Sequence, residues 1–168
     1  EHDILLFSSA GKSIRFKESD VRSVGRTAIG VRGIRLADKD KVVSLIVAES
    51  DDPILTATEK GYGKRTQLDE YRAQARGGSG VISIKTSDRN GQVVGAIQVT
   101  NEDEMMLISD KGTLVRARAA DVSIIGRNTQ GVTLINIAND EALVSVAKIA
   151  ETEDDEEGTE EVEVKSEE

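Results

Sequence analysis

SSAGKSIRF, residues 8–16, admits two opposite readings, and the choice between them sets the fold. Ala10-Gly11-Lys12-Ser13 has the look of the end of a phosphate loop, G-x-x-x-x-G-K-[ST]. That loop needs an upstream glycine for its sharp turn, and it must open a helix. The upstream position is Leu6, and the next residues are Ile14-Arg15-Phe16-Lys17, an apolar–basic alternation with the period of a strand. Both requirements fail. The alternative is a hairpin turn in which glycine is needed for a positive φ.

Reading outward from Gly11 decides for the turn. At offsets of four, fifteen, nineteen and twenty residues from Gly11 stand Arg15, Arg26, Gly30 and Val31. The same offsets from Gly61 give Arg65, Arg76, Gly80 and Val81, and from Gly112 they give Arg116, Arg127, Gly131 and Val132. The third copy, KGTLVR, has no Lys-Ser after its glycine, so the glycine is what the copies share. An internal period of about fifty residues points to a propeller, solenoid or array. Gly77-Gly78-Ser79-Gly80 also looks like a phosphate cradle, but it enters the strand-like run Val81-Ile82-Ser83-Ile84 and reads as a loop.

Each copy reads as four short strands. The first is 4–7, with 54–57 and 105–108 as counterparts. A glycine turn follows, then a strand carrying the Arg, then a loop leading to Gly30-Val31 and the run 31–36. The last is 42–47, with 93–99 and 143–149 as counterparts. β-Branched residues dominate, and helical periodicity is nearly absent. Pro53, the single proline, stands at a strand start, where a missing N–H costs little. The expected class is all-β, with three four-stranded units at about 3–50, 53–101 and 104–150.

The net charge of −9 hides two different parts. Residues 151–168 hold eleven acids and one lysine; the first 150 hold twenty acids and twenty-one bases. The tail is expected to be disordered. The chain has no cysteine, which excludes disulfides and thiolate metal sites. Its single histidine, His2, is terminal, so no catalytic or metal site is expected. Phe7, Phe16, Tyr62 and Tyr71 are too few for a single-strand stacking platform. No apolar run nears the roughly 20 residues of a membrane helix. The chain opens on Glu1, which suggests a segment of a longer cytoplasmic protein.

The arginines carry the functional expectation. Equivalent positions on successive units recur around a rim, and a basic rim could hold duplex DNA bent without reading bases. The candidates for DNA contact are Lys12, Arg15, Arg32, Arg35, Lys64, Arg65, Lys85, Arg116 and Arg118. Arg26, Arg76 and Arg127 are open to two readings. They could touch DNA, or they could pair with the acid six residues earlier, Asp20, Glu70 and Asp121, as architectural ion pairs.

The segments GRTAIGV (25–31), ARGGSGV (75–81) and GRNTQGV (126–132), with GYGKRT (61–66) and the acidic tail, resemble the C-terminal domain of DNA gyrase A. The resemblance covers residues 3 to about 150; Ala75 is its one departure from the motif. It implies a β-pinwheel, a propeller-like ring of about six blades whose neighbours exchange strands, with this chain as its last three. It further implies a non-catalytic module that wraps duplex DNA without sequence preference. The partners implied are the rest of gyrase A and the gyrase B protein, in an ATP-dependent type II topoisomerase that adds negative supercoils. ATP and Mg would act elsewhere in that enzyme. The family's box motif, Q-R-R-G-G-R-G, has only a partial echo at 74–80. The tail could compete with DNA for the rim. Two alternatives remain: the related C-terminal domain of topoisomerase IV, and a propeller used for protein contacts.

Overall fold

A computed structural model describes residues 2–150; the tail at 151–168, expected to be disordered, lies outside the described residues. The first repeat supplies β1 (Asp3–Ser8), β2 (Lys12–Lys17) and β3 (Val42–Ala48). The second supplies β4 (Ile54–Thr58), β5 (Tyr62–Thr66), β6 (Val81–Ile82) and β7 (Val93–Gln98). The third supplies β8 (Glu104–Ser109), β9 (Leu114–Arg118), β10 (Val132–Thr133) and β11 (Leu143–Lys148). Among the described residues the only helical pieces are three single 3₁₀ turns, Glu18–Asp20, Leu68–Glu70 and Ala119–Asp121, one after the second strand of each repeat.

The opening hairpin has the geometry its residues require. β1 and β2 pair antiparallel, with Leu5 opposite Arg15 and Phe7 opposite Ser13. Gly11 sits in the turn at φ 83°, and its N–H donates to the Ser8 carbonyl at 3.0 Å. Lys12 and Ser13 therefore begin a strand and cradle no phosphate.

Three sheets form, ordered β3-β1-β2-β6, β10-β5-β4-β7 and β11-β8-β9. The outermost strand of the first sheet comes from the second repeat, and that of the second sheet from the third. Each repeat thus completes its predecessor's sheet. The short β6 lies on β2 with Val81 opposite Ser13; β10 lies on β5 with Val132 opposite Gly63.

Strand exchange corrects the expectation of four strands per repeat in two places. The run 31–36 forms no strand, and the third sheet has three strands instead of four. A two-residue strand is held by the edge it lies on, and no described strand offers an edge to Val31-Arg32. By the same logic the outer edge of β9 carries no strand among the described residues.

The core lies between sheets. Leu5, Phe7 and Ile46 of the first repeat pack on Ile54, Tyr71 and Ala96 of the second. Leu55 and Ala57 pack on Met105, Leu107, Leu143 and Val146 of the third. Ile54 and Leu55 are neighbours in sequence, so the period of two sends them to opposite faces. The middle sheet is covered on both sides, which is why every residue of β4 is buried. Burying each large side chain contributes about 1.5–3 kcal/mol. Phe7 and Tyr71 meet edge to face, with centroids 5.8 Å apart.

Candidate nucleic-acid interface

Arg15, Arg65 and Arg116 occupy the same register position on β2, β5 and β9, yet their surroundings differ. The Arg15 guanidinium donates to Asp3 through Nε at 2.8 Å and again through Nη2. Its Nη1 reaches the carbonyls of Leu68 at 2.9 Å and Tyr71 at 3.2 Å, in the next repeat. Asp3 also receives Lys17 at 2.8 Å. Burial alone would raise the Asp3 carboxyl, but these two cations outweigh it and hold it below the usual aspartate range.

Arg65 is only 4% exposed. Its Nε donates to the Val122 carbonyl at 2.8 Å, Nη1 to Asn101 Oδ1 at 2.7 Å and Nη2 to the Ala120 carbonyl at 3.5 Å. No carboxylate joins this set, because the position of Asp3 and Glu104 is held by Pro53 in the second repeat. Burial lowers the Arg65 pKa. Arg116 is exposed and pairs with Glu104. The expectation that this series presents itself to DNA is therefore corrected for Arg15 and Arg65. Arg15 is held by Asp3 and two carbonyls of the following repeat, and Arg65 by Asn101 and two carbonyls of the following repeat.

Lys64 is corrected as well. It has no exposed surface, and its Nζ donates to the carbonyls of Gly126 and, at 2.7 Å, Arg127. Burial pushes its pKa down to about 8, against the opposing pull of Glu70 and with a smaller push from Arg127.

The second arginine series reaches backwards. Arg76 donates to the Asp20 carbonyl at 2.9 Å and the Arg32 carbonyl at 3.1 Å. Arg127 donates to the Ile82 carbonyl at 2.8 Å, and its backbone N–H reaches Glu70 at 3.2 Å. Each binds the preceding repeat, so the proposed pairs Asp20–Arg26, Glu70–Arg76 and Asp121–Arg127 do not form. Asp121 pairs with Arg118 at 3.2 Å instead. Arg26 is exposed and has no side-chain partner among the described residues.

The turn glycines show where repeats touch. A Cβ on Gly61 would lie 2.4 Å from the Ile135 carbonyl oxygen, and one on Gly11 2.3 Å from that of Ile84. A Cβ on Gly80 would lie 2.1 Å from the Ser13 carbonyl oxygen, and one on Gly131 2.6 Å from that of Gly63. Gly30 and Gly112 share the positive φ but have nothing within 4 Å.

Four of the candidates remain as free cations. Lys12, Arg32, Arg35 and Lys85 are exposed, and their side chains have no partner among the described residues. All four flank the β2–β6 junction. Lys12 stands opposite Ile82, Arg35 N–H donates to the Gly78 carbonyl at 2.8 Å, and the Arg32 carbonyl accepts from Arg76. Lys85 follows β6, next to Thr86, whose hydroxyl donates to the Ala10 carbonyl at 3.3 Å. The third repeat has Asn136 where the others have Arg35 and Lys85, and Thr113 where the first has Lys12. The cationic track is thus concentrated on the first two sheets.

Sequence reasoning missed Asp3, Asn101 and the burial of Lys64. A signal for Asp3 existed: an acid stands eight residues before the turn glycine in the first and third repeats, as Asp3 and Glu104. Nothing in the sequence marks Asn101 as the stand-in.

Residues 2–49, 52–100 and 103–150 each match the family described as DNA gyrase C-terminal domain, beta-propeller. Among curated proteins, the chain is 59% identical to the DNA gyrase A protein of Klebsiella oxytoca over 94% of its length, and 56% identical to that of Escherichia coli over 93%. It spans 18% of the length of each of these relatives. Among solved structures, the C-terminal domain of DNA gyrase A superposes with a TM-score of 0.83 at 31% identity, covering 89% of this chain and 51% of that one. The C-terminal domain of DNA topoisomerase IV also gives 0.83, at 26% identity, covering 88% and 46%.

Proposed function

Since this chain belongs to the DNA gyrase A C-terminal domain family, we propose that it is a non-catalytic, sequence-indifferent holder of duplex DNA. The single observation that carries the reading is the group of unpaired cations, Lys12, Arg32, Arg35 and Lys85, along one junction of exchanged strands. Duplex DNA is a dense line of negative charge, and each phosphate neutralised releases counterions. Smooth bending of a 20–30 bp site by 40–90° costs on the order of 1–6 kcal/mol, which several phosphate contacts together can offset. The exposed pairs Arg116–Glu104 and Arg118–Asp121 on the third sheet are secondary contacts, since a phosphate must compete with a carboxylate already in place.

In this reading the chain serves a cytoplasmic gyrase, working with the rest of gyrase A and with the gyrase B protein. That parent enzyme uses ATP and Mg away from this domain and converts held DNA into negative supercoils. The topoisomerase IV alternative is weaker, because curated gyrase A relatives reach 59% identity. The protein-interaction alternative lacks a supporting observation at this junction.

The test is duplex binding as a function of salt. The triple variant Lys12→Gln, Arg35→Gln, Lys85→Gln should lower the slope of log K against log salt by about 0.9 for each phosphate no longer neutralised. An unchanged slope and affinity would remove the proposal. A uniform loss across unrelated sequences supports it.

A further inference from the structure

The segment 81–91 crosses from one sheet to the next inside the array. Val81-Ile82 is β6, on the edge of β2. Thr86 then donates to the Ala10 carbonyl in the first hairpin turn, at 3.3 Å. The turn at 87–91 lies on the second hairpin, where the Lys60 N–H donates to the Asn90 carbonyl at 3.1 Å.

Asn90 fixes that turn. It is fully buried, and its Nδ2 donates to the Lys85 carbonyl at 2.8 Å and to the Gln130 carbonyl of the third repeat at 3.0 Å. Its Oδ1 accepts from the Ser87 N–H at 2.8 Å and from the Ser87 hydroxyl at 3.2 Å. An amide side chain offers two donors and two acceptor sites, so all four are used. The Gly91 N–H closes the turn on the Ser87 carbonyl at 2.8 Å. Lys85 and Arg89 are thereby held in a fixed relation, their Cα atoms at most about 14 Å apart by chain length.

Arg89 is exposed, and its guanidinium sits over the Tyr62 ring, 4.8 Å from the centroid. It has no ion-pair partner among the described residues. Attraction to the ring leaves the positive charge uncompensated, so a phosphate has no carboxylate to displace there. Arg116 and Arg118, which pair with Glu104 and Asp121, lack that advantage.

The junction of β5 and β10 needs such a residue if a duplex is to continue past the first junction. Tyr62 stands opposite Thr133 there, where Lys12 stands opposite Ile82 in the first. Asn136 takes the place of Lys85. Lys64 and Arg65 are buried, and Lys60 donates to the Asp88 carbonyl.

We infer that the duplex runs from the first junction onto the second along this segment, with Arg89, seated on Tyr62, taking the phosphate contact there. The inference rests on the duplex-holding reading above and adds to it a route and two residues. Duplex DNA carries one charge per roughly 1.7 Å of axis, so a duplex over Lys85 presents phosphates near Arg89 whatever its sequence. Arg89 makes the contact, and Tyr62 is a positioning residue.

Duplex binding by the full chain across a salt series is the test. Arg89→Gln should lower the slope of log K against log salt by about 0.9, and Arg89→Lys should restore it, because charge sets the slope. Tyr62→Leu should keep the parent slope and lose about two- to fivefold in affinity, because the cation remains and its seat is gone. Lys148→Gln, which removes a cation paired with Asp103 at the end of β11, should leave the slope unchanged. An Arg89→Gln slope equal to the parent's overturns the inference. The duplex-holding reading then stands alone if the variant Lys12→Gln, Arg35→Gln, Lys85→Gln still loses slope, and both fall if it does not. An equal loss in Lys148→Gln also overturns the inference, since the slope would then report net charge alone. Full affinity in Tyr62→Leu removes the seat.

Discussion

Arg65 on β5 donates its Nε–H to the carbonyl oxygen of Val122 at 2.8 Å, across the boundary between the second and third repeats. The same side chain also holds Asn101 and the Ala120 carbonyl. Replacing it with alanine leaves the buried Val122 carbonyl without its donor and opens a void. Hydrogen bonds to a charged group contribute about 1.5–3 kcal/mol, so Arg65→Ala should lower unfolding stability by several kcal/mol. Arg116→Ala, at the equivalent exposed position, should stay within about 1 kcal/mol. Urea unfolding midpoints compare the two; equal losses would contradict the assigned roles.

Gly61 and Gly112 supply a second matched pair. Both have positive φ, 82° and 84°. Alanine in that region costs roughly 1–2 kcal/mol at either site. At Gly61 the added methyl would also strike the Ile135 carbonyl, 2.4 Å away, whereas Gly112 has open space. Thermal unfolding should therefore show Gly61→Ala as clearly the more damaging variant, with amide exchange quickened at Leu134 and Ile135.

Lys64 sets a pH dependence. Its folded pKa of about 8 lies below the unfolded value of 10.5, because burial disfavours the charged form. Between those values the unfolded chain binds the extra proton, so stability rises with pH across that window. Below it the burial penalty is present in full. Lys64→Met should remove this component, which has a slope of at most about 1.4 kcal/mol per pH unit. Denaturation at pH 7.5 and pH 10 checks it; identical differences in the variant and the parent chain would refute it.

Deleting 151–168 should tighten duplex binding at low salt and matter little at high salt. Eleven tethered carboxylates compete with phosphate for the same cations, and salt screens both. Fluorescence anisotropy with a labelled duplex reads the difference.

Much of the fold was legible because its signals are local. Gly11, Gly61 and Gly112 mark turns that any chain must make with a positive φ. Alternation at Leu5 and Phe7 marks a strand with one face toward a core. The candidate site was far less legible. Arg15, Arg65 and Arg116 are indistinguishable by residue type and offset, yet one is clamped, one is buried and one is exposed. Lys64, read as a surface cation, is enclosed by the loop at 126–127, more than sixty residues away.

The sequence by itself determined the repeat, its β character, its turns and the separation of a neutral body from an acidic tail, since each depends on residues close together in the chain. The tertiary structure alone decided which strand completes which sheet and which cations remain free for phosphate. Those outcomes depend on whether a neighbouring repeat lies against a given edge, and a guanidinium buried under the next repeat, as Arg65 is, is withdrawn from the surface a phosphate could reach.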